Sequence, residues 1–254
     1  MGRHFLIRGF ENSSVWRHYT ISACMKPAAF KEYLKAIDAF KSGNPLIFDS
    51  SVLNENSGKK GQRELVMTVK NYQSPGGLSS LIHSATKNAL FQIKAPLGKG
   101  LALSSDGTHI AFAAGTGVLV FIDFIALLLR QNLGLLEGGS VPLFGKGSSF
   151  KFILYASFAS RADAVAIELV EGLRDVTLKR GLTNFELILR IRGEVPTQKR
   201  WDEQFVQRQL DIRKKEHLSK IYVCGPPEMS EMFDRLFDRM IEEGQLESSQ
   251  VHVL

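Results

Sequence analysis

Two hydrophobic rhythms divide the chain. Up to about position 104, β-branched and aromatic residues fall in short runs at 4–9, 16–22, 65–72 and 89–93. Runs of this kind read as strands when turn chemistry separates them. Glu11-Asn12-Ser13-Ser14, Ser74-Pro75-Gly76-Gly77 and Pro96-Leu97-Gly98-Lys99-Gly100 supply it. Gly77-Leu78-Ser79-Ser80-Leu81-Ile82 then reads as a glycine turn opening a short helix. The pattern predicts a small antiparallel barrel with one helix. It is interrupted over 25–62, where Pro27 to Phe40 has helical spacing and Ser42-Gly43-Asn44-Pro45 stops it. A polar, loop-like stretch from Asn54 to Gly61 completes what reads as an insertion in the barrel.

From Thr108 the rhythm becomes strand, helix, strand, helix. Strands are expected at 109–113, 150–156, 185–191 and 220–223, and helices at 118–131, 162–179, 202–208 and 228–243. Such alternation implies a parallel sheet covered by helices on both faces. The expected fold class is therefore α/β plus β: an antiparallel barrel over 1–103, then a parallel-sheet α/β domain over 104–254. Ser104-Ser105-Asp106-Gly107 is plausible linker chemistry. The run from 111 to 129 is almost wholly apolar, but Asp123 and a Gly-Thr-Gly break lie inside it. A strand, a tight turn and a buried helix account for it better than a membrane span.

Charge changes this picture little. Lys and Arg number 32 against 26 Asp and Glu, a formal net charge of +6 over 254 residues. The basic clusters are short, Lys59-Lys60, Lys199-Arg200 and Arg213-Lys214-Lys215, and lack the aromatic interleaving of a nucleic-acid face. No nucleic-acid partner is expected. The excess suits solvated loops, or attraction to nucleotide phosphates, an acidic acceptor protein or a membrane surface. Two cysteines, Cys24 and Cys224, make neither a disulfide framework nor a metal site. With no apolar leader, a cytoplasmic location is expected, with a membrane face as a place of work.

Three segments carry chemistry. Gly115-Thr116-Gly117 follows an apolar strand and opens an apolar helix, where backbone N–H groups and the helix dipole suit a phosphate. Val120 stands where a dinucleotide fingerprint would have its third glycine, so the turn alone also reads as a tight turn without a ligand. In Arg17-His18-Tyr19-Thr20-Ile21-Ser22, alternation puts Arg17 and Tyr19 on one face. Arg17 could fork onto a pyrophosphate and Tyr19 lie against a flat ring; taken alone, the strand reads more simply as a snorkelling arginine and a core tyrosine. Tyr222-Val223-Cys224-Gly225-Pro226-Pro227-Glu228-Met229 ends a strand in a thiol and turns sharply before a helix. Ligands of open α/β sheets sit beyond such strand ends.

In this order the segments resemble the ferredoxin–NADP reductase superfamily, and its cytochrome b5 reductase and nitrate reductase flavin-domain branch most closely. Arg17-His18-Tyr19-Thr20-Ile21-Ser22 looks like the R-x-Y-[ST] flavin motif. Val69-Lys70-Asn71-Tyr72 with Gly76-Gly77-Leu78-Ser79 looks like V-K-x-Y followed by G-G-x-[ST]. Ala114-Gly115-Thr116-Gly117 resembles G-G-T-G, and Cys224-Gly225-Pro226-Pro227-Glu228-Met229 resembles C-G-P-P-x-M. The likeness covers nearly the whole chain and implies FAD and NAD(P)H as cofactors. It implies FAD contacts at Arg17, Tyr19, Thr20, Ser22, Val69, Tyr72, Gly77, Leu78 and Ser79. It implies nucleotide contacts at Lys70, Gly115, Thr116, Gly117, Cys224, Gly225, Pro226 and Met229. Tyr19, Thr116 and Cys224 would stand at the reacting rings, with Cys224 setting packing and polarity rather than acting as a nucleophile.

The implied activity is hydride transfer from NAD(P)H to FAD, with electrons passed to a haem protein such as cytochrome b5. The alternative is a non-catalytic scaffold or accessory subunit that kept the fold. Arg161 and Arg192, with no aspartate near Arg192, favour NADPH. Two departures stand out: Ala114 replaces a glycine and no proline follows Gly117; the lack of a terminal aromatic residue fits the b5-reductase-like branch. Strands that precede Gly2 in relatives are absent, so the barrel is expected to be open. An open edge invites a partner, a membrane-associated one or the rest of a longer chain or complex included.

Overall fold

The computed structural model describes residues 2–9, 16–54, 65–72, 77–136, 149–194, 200–213 and 215–254. The expected turns at Glu11-Asn12-Ser13-Ser14 and Ser74-Pro75-Gly76, and the polar loop from 55 to 61, lie outside them. Two sheets carry the fold. In the first, β1 (His4–Gly9) is the centre, with β2 (Arg17–Thr20) antiparallel on one side. On its other side lies β3 (Phe91–Leu97), also antiparallel. Ile7 of β1 is buried beneath this sheet. The segment 65–72, expected as a strand, makes among the described residues a single antiparallel bridge, Met67 to Ile21. Pro96 and Leu97 were expected in a turn but end β3. That strand lies at the sheet edge, where a proline costs no ladder bond.

The insertion carries a 3-10 turn (Ala23–Met25), α1 (Pro27–Ser42) and α2 (Ser51–Asn54). Pro27 sits in the first turn of α1, where its missing N–H is no loss. Gly43 closes the helix at φ +72°, a left-handed conformation that suits glycine. The short α3 (Leu78–Ser84) follows.

The second sheet begins with β4 (Thr108–Ala114), then a 3-10 turn (Gly115–Val118) running into α4 (Leu119–Leu133). Next come β5 (Lys151–Phe158), a 3-10 turn (Arg161–Asp163) and α5 (Ile167–Lys179). One helix was expected over 162–179; Ala166 at φ +57° instead separates the turn from α5. The remainder is β6 (Phe185–Ile191), α6 (Glu203–Ile212), β7 (Leu218–Cys224), α7 (Pro227–Glu242) and β8 (Val251–Val253). The strands are parallel in the order β6-β5-β4-β7-β8. The chain therefore starts mid-sheet, winds outward through β5 and β6, and returns to the far side of β4. That reversal between β4 and β7 is where open α/β sheets place their ligand crevice.

Each face of this sheet has its own core. Ile110, Phe112, Ile153 and Tyr155 pack with Val206, Leu210, Phe233 and Phe237 of α6 and α7. Ala111, Ala113, Phe152 and Leu154 face the other way, toward Phe121 and Phe124 of α4 and Leu173 of α5. The stretch Gly115–Leu133 is long and apolar enough to cross a membrane by length and composition, but 72% of it is buried inside the fold. It is the central helix of that second core.

The helix α1 joins the same core through Tyr33, Ala36 and Ile37. Gly172 in α5 is the socket, since a Cβ there would overlap Ile37. Lys41 Nζ reaches Asp175 at 2.7 Å. Lys179 Nζ donates to the carbonyls of Phe40 and Lys41 at the end of α1. The insertion thus spends its apolar face on the parallel-sheet half of the molecule.

Candidate functional site

The glycine turn and the thiol turn meet at the switch point. Ala113 of β4 is paired with Cys224 of β7, so Gly115 and Gly225 leave the sheet side by side. Gly117 is buried against the carbonyl of Cys224, and a Cβ at Gly117 would overlap it. A Cβ at Gly225 would lie 2.7 Å from Met229 Sδ and 3.1 Å from Ala114 Cβ. Met229, partly buried, packs between this turn and the core of α6 and α7. Gly115 takes φ +56°, and the side a Cβ would occupy is open. Thr116 is half-buried, and no side chain caps the first turn of the helix that Ala114 precedes. Pro226 is exposed at the start of α7. Burial pushes the Cys224 thiol up to about 12, so it stays protonated at neutral pH.

The arginine-tyrosine strand lies on the antiparallel sheet. Tyr19 is opposite Phe5 and half-buried, while Arg17 is exposed and makes no ion pair among the described residues. Burial raises the Tyr19 phenol above its ordinary value, with Arg17 opposing and Tyr72 adding to the rise. That places Tyr72, itself 64% exposed, within electrostatic reach of Tyr19. Thr20 is half-buried next to Tyr19. Val69 is half-buried, its carbonyl 2.8 Å from His83 Nε2 of α3. Leu78 is buried as the first residue of α3; Gly77 precedes it in extended conformation, and Ser79 follows half-buried.

Polar links tie the two sheets' elements together. Ser22 Oγ, buried at the end of the motif strand, donates to the Leu119 carbonyl at 3.1 Å. Leu119 is two residues past Gly117. Asp123 accepts the N–H groups of Ala23 and Cys24 at 3.2 and 3.0 Å, which explains a carboxylate in so apolar a helix. Cys24 is accordingly held protonated, by burial first and by Asp123 second. On the other side, Lys70 Nζ reaches Asp163 Oδ1 at 2.7 Å.

The two arginines expected at a ribose phosphate differ in their commitments. Arg161 follows β5 and is held by Glu194 at 2.7 Å and Glu171 at 3.3 Å. Arg192 follows β6, exposed and without an ion pair among the described residues. Their loops are joined by backbone bonds from Arg192 N–H to Phe158 and from Gly193 N–H to Ala159.

Asp163 and Asp123 escaped the sequence reading as site residues. Asp163 had a signal, because Ser160 three residues earlier makes an S-x-x-D helix start, and Ser160 does accept the Asp163 N–H. Another group stood beyond prediction. His109, buried in β4, lies between Ser104 Oγ at 2.9 Å and the Tyr222 hydroxyl at 3.3 Å. Burial lowers its pKa to about 4.

The chain has the two-sheet fold of ferredoxin–NADP reductases and cytochrome b5 reductases, an antiparallel sheet followed by a parallel α/β sheet. Among the solved structures it resembles are the CS–b5R domains of human Ncb5or in the NAD+ form. There the TM-score is 0.58 at 12% identity, over 99% of this chain and 59% of that one. The cytochrome b5 reductase domain of Ulva prolifera nitrate reductase gives 0.55 at 13% identity, over 100% of this chain and 84% of that one. Ferredoxin-NADP+ reductase from Plasmodium falciparum with 2'P-AMP gives 0.54 at 14%, over 100% and 82%. This chain spans 59% of the length of the first of these. No protein-family model and no curated protein matches it. At these identities the likeness is one of fold.

Proposed function

We propose that the chain is a flavin-dependent oxidoreductase that takes hydride from NAD(P)H and passes electrons to a one-electron acceptor. The observation that carries this is the convergence at the β4–β7 switch point. Gly117 presses on Cys224 there, and the strand bearing Arg17 and Tyr19 is stitched to the same helix start by Ser22 and Leu119.

The residues suit the groups they would hold. Gly115 leaves an open side at an uncapped helix start, as a close approach of nucleotide backbone or ring requires. Arg17 is free to fork onto a pyrophosphate, and the N–H groups at Gly77, Leu78 and Ser79 carry no side-chain cap. Tyr19 and Thr20, half-buried, offer a face and a hydroxyl to a flat ring, with Val69 and Tyr72 beside them. A bound flavin would supply the chemistry that turns a two-electron donor into single-electron deliveries. Thr116, Cys224 and Pro226 would bound the nicotinamide side, with Cys224 excluding water as a neutral thiol. Arg192 would take a 2′-phosphate more readily than Arg161, which must first leave two carboxylates; this favours NADPH. The acceptor is expected to be a haem protein of the cytochrome b5 kind.

An absorption spectrum tests the reading. Purified protein should carry flavin bands, or gain them with added FAD, and NADPH should bleach them faster than NADH. Protein that stays colourless with FAD overturns it. A chain that binds nucleotide and flavin but reduces no ferricyanide would be a scaffold that kept the fold.

A further inference from the structure

We infer that Asp163 is a positioning residue that latches Lys70 while the nucleotide site is empty and yields it to a nucleotide phosphate. This rests on the nucleotide-binding reading above and adds to it a residue that competes with the ligand.

Lys70 belongs to the segment beside the arginine-tyrosine strand. Its backbone neighbour Val69 is fixed by His83, and its Nζ lies 5.9 Å from the Tyr72 ring. Asp163 belongs to the other sheet, in the turn just beyond the carboxyl end of β5. The ion pair is therefore a second kind of link between the two halves, water-accessible at both partners, whereas the Ser22–Leu119 bond is buried.

Asp163 is set for the task by its own turn. Ser160 Oγ donates to Asp163 Oδ2 at 2.8 Å, and Lys70 donates to Oδ1 at 2.7 Å. Both hydrogen bonds keep the Asp163 carboxyl below its ordinary pKa, that from Lys70 being the larger cause. Both partners are about one-third exposed, at 39% and 34%. Half-wet pairs of this kind are weak, so the link can open for a stronger anion. A pyrophosphate arriving at the strand ends carries that anion, and Lys70 would exchange Asp163 for it. The pair therefore gives Lys70 a definite partner within the chain, which a nucleotide must displace.

The experiment is a double-mutant cycle read by titration with NADPH and with NADH. Asp163→Asn should tighten nucleotide binding by roughly five-fold, the size of a half-exposed ion pair. Lys70→Met should weaken binding, and Asp163→Asn added to Lys70→Met should give little further gain. Asp163→Glu, which keeps the carboxylate, should bind as the parent does, a rescue that a purely structural role does not require. Binding unchanged or weakened in Asp163→Asn, or an equal gain without Lys70, overturns the latch while leaving the nucleotide reading in place. Failure of all the folded variants to bind either nucleotide overturns both.

Discussion

His109 shows how a single buried group sets a property of the fold. The imidazole is 1% exposed, held between a serine hydroxyl and the tyrosine whose own hydroxyl donates to the Leu101 carbonyl at 2.6 Å. Burial is the largest cause of its depressed pKa, about 4 against an ordinary 6.5. In the unfolded chain the ring binds its proton below about 6.5; in the fold it does so only below about 4. Between those values the unfolded state holds more protons, so stability falls as pH is lowered through the window. The full loss amounts to about 3 kcal/mol below pH 4. His4 and His252 are lowered too and act in the same direction, so the parent alone does not isolate the effect. Urea unfolding of the parent and His109→Gln across pH 4 to 7 does. The variant should show the shallower slope, and parallel curves would refute the assignment. Nothing in the sequence marks this residue. A histidine in an apolar strand shows its burial only when Tyr222, 113 positions away, is seen to lie beside it.

At the scale of elements, the spacing of residues told more about what forms than about what it packs on. The run from Pro27 to Phe40 predicts α1, and Gly43 its end, because both caps are local chemistry. Its destination is not local. An amphipathic stripe says that a face will be buried but does not name the surface. Here the surface is α5, and the matching signal is a glycine, Gly172, in a helix interior where glycine is otherwise unfavourable. The segment 65–72 failed in the opposite sense. Its residues suit a strand, but a strand needs a ladder partner, and among the described residues only Met67 finds one, at Ile21. The short β8 carries too few residues for periodicity to declare it. The socket gives a prediction for Ile37→Ala. If α1 belongs to the core, removing this buried side chain should cost about 2–4 kcal/mol in denaturant unfolding. A helix lying on the surface would register within about 0.5 kcal/mol.

The whole molecule was expected to divide near position 103, with flavin chemistry on one side and nucleotide chemistry on the other. Packing runs across that point. Cys24, Tyr33, Ala36, Ile37 and Leu101 come from before that point, yet they share one buried cluster with α4, α5 and their strands. The site could be read from sequence because its motifs are short and local. The joint could not, because it is made of Ser22 meeting Leu119, Asp123 meeting two amides and α1 meeting Gly172, across separations near one hundred residues or more. Shared burial of this kind couples the halves energetically, since opening one strips the other of its contacts. Thermal unfolding should therefore be a single calorimetric transition, with calorimetric and van't Hoff enthalpies equal. Asp123→Leu removes the acceptor for the Ala23 and Cys24 amides while keeping the helix apolar. It should lower stability by about 1 kcal/mol, chiefly through the part-buried Cys24 donor since the Ala23 amide is open to water, and broaden or split the transition as the antiparallel half loosens first. Two resolved transitions in the parent would show that the halves fold independently, and that these long-range contacts do not couple them.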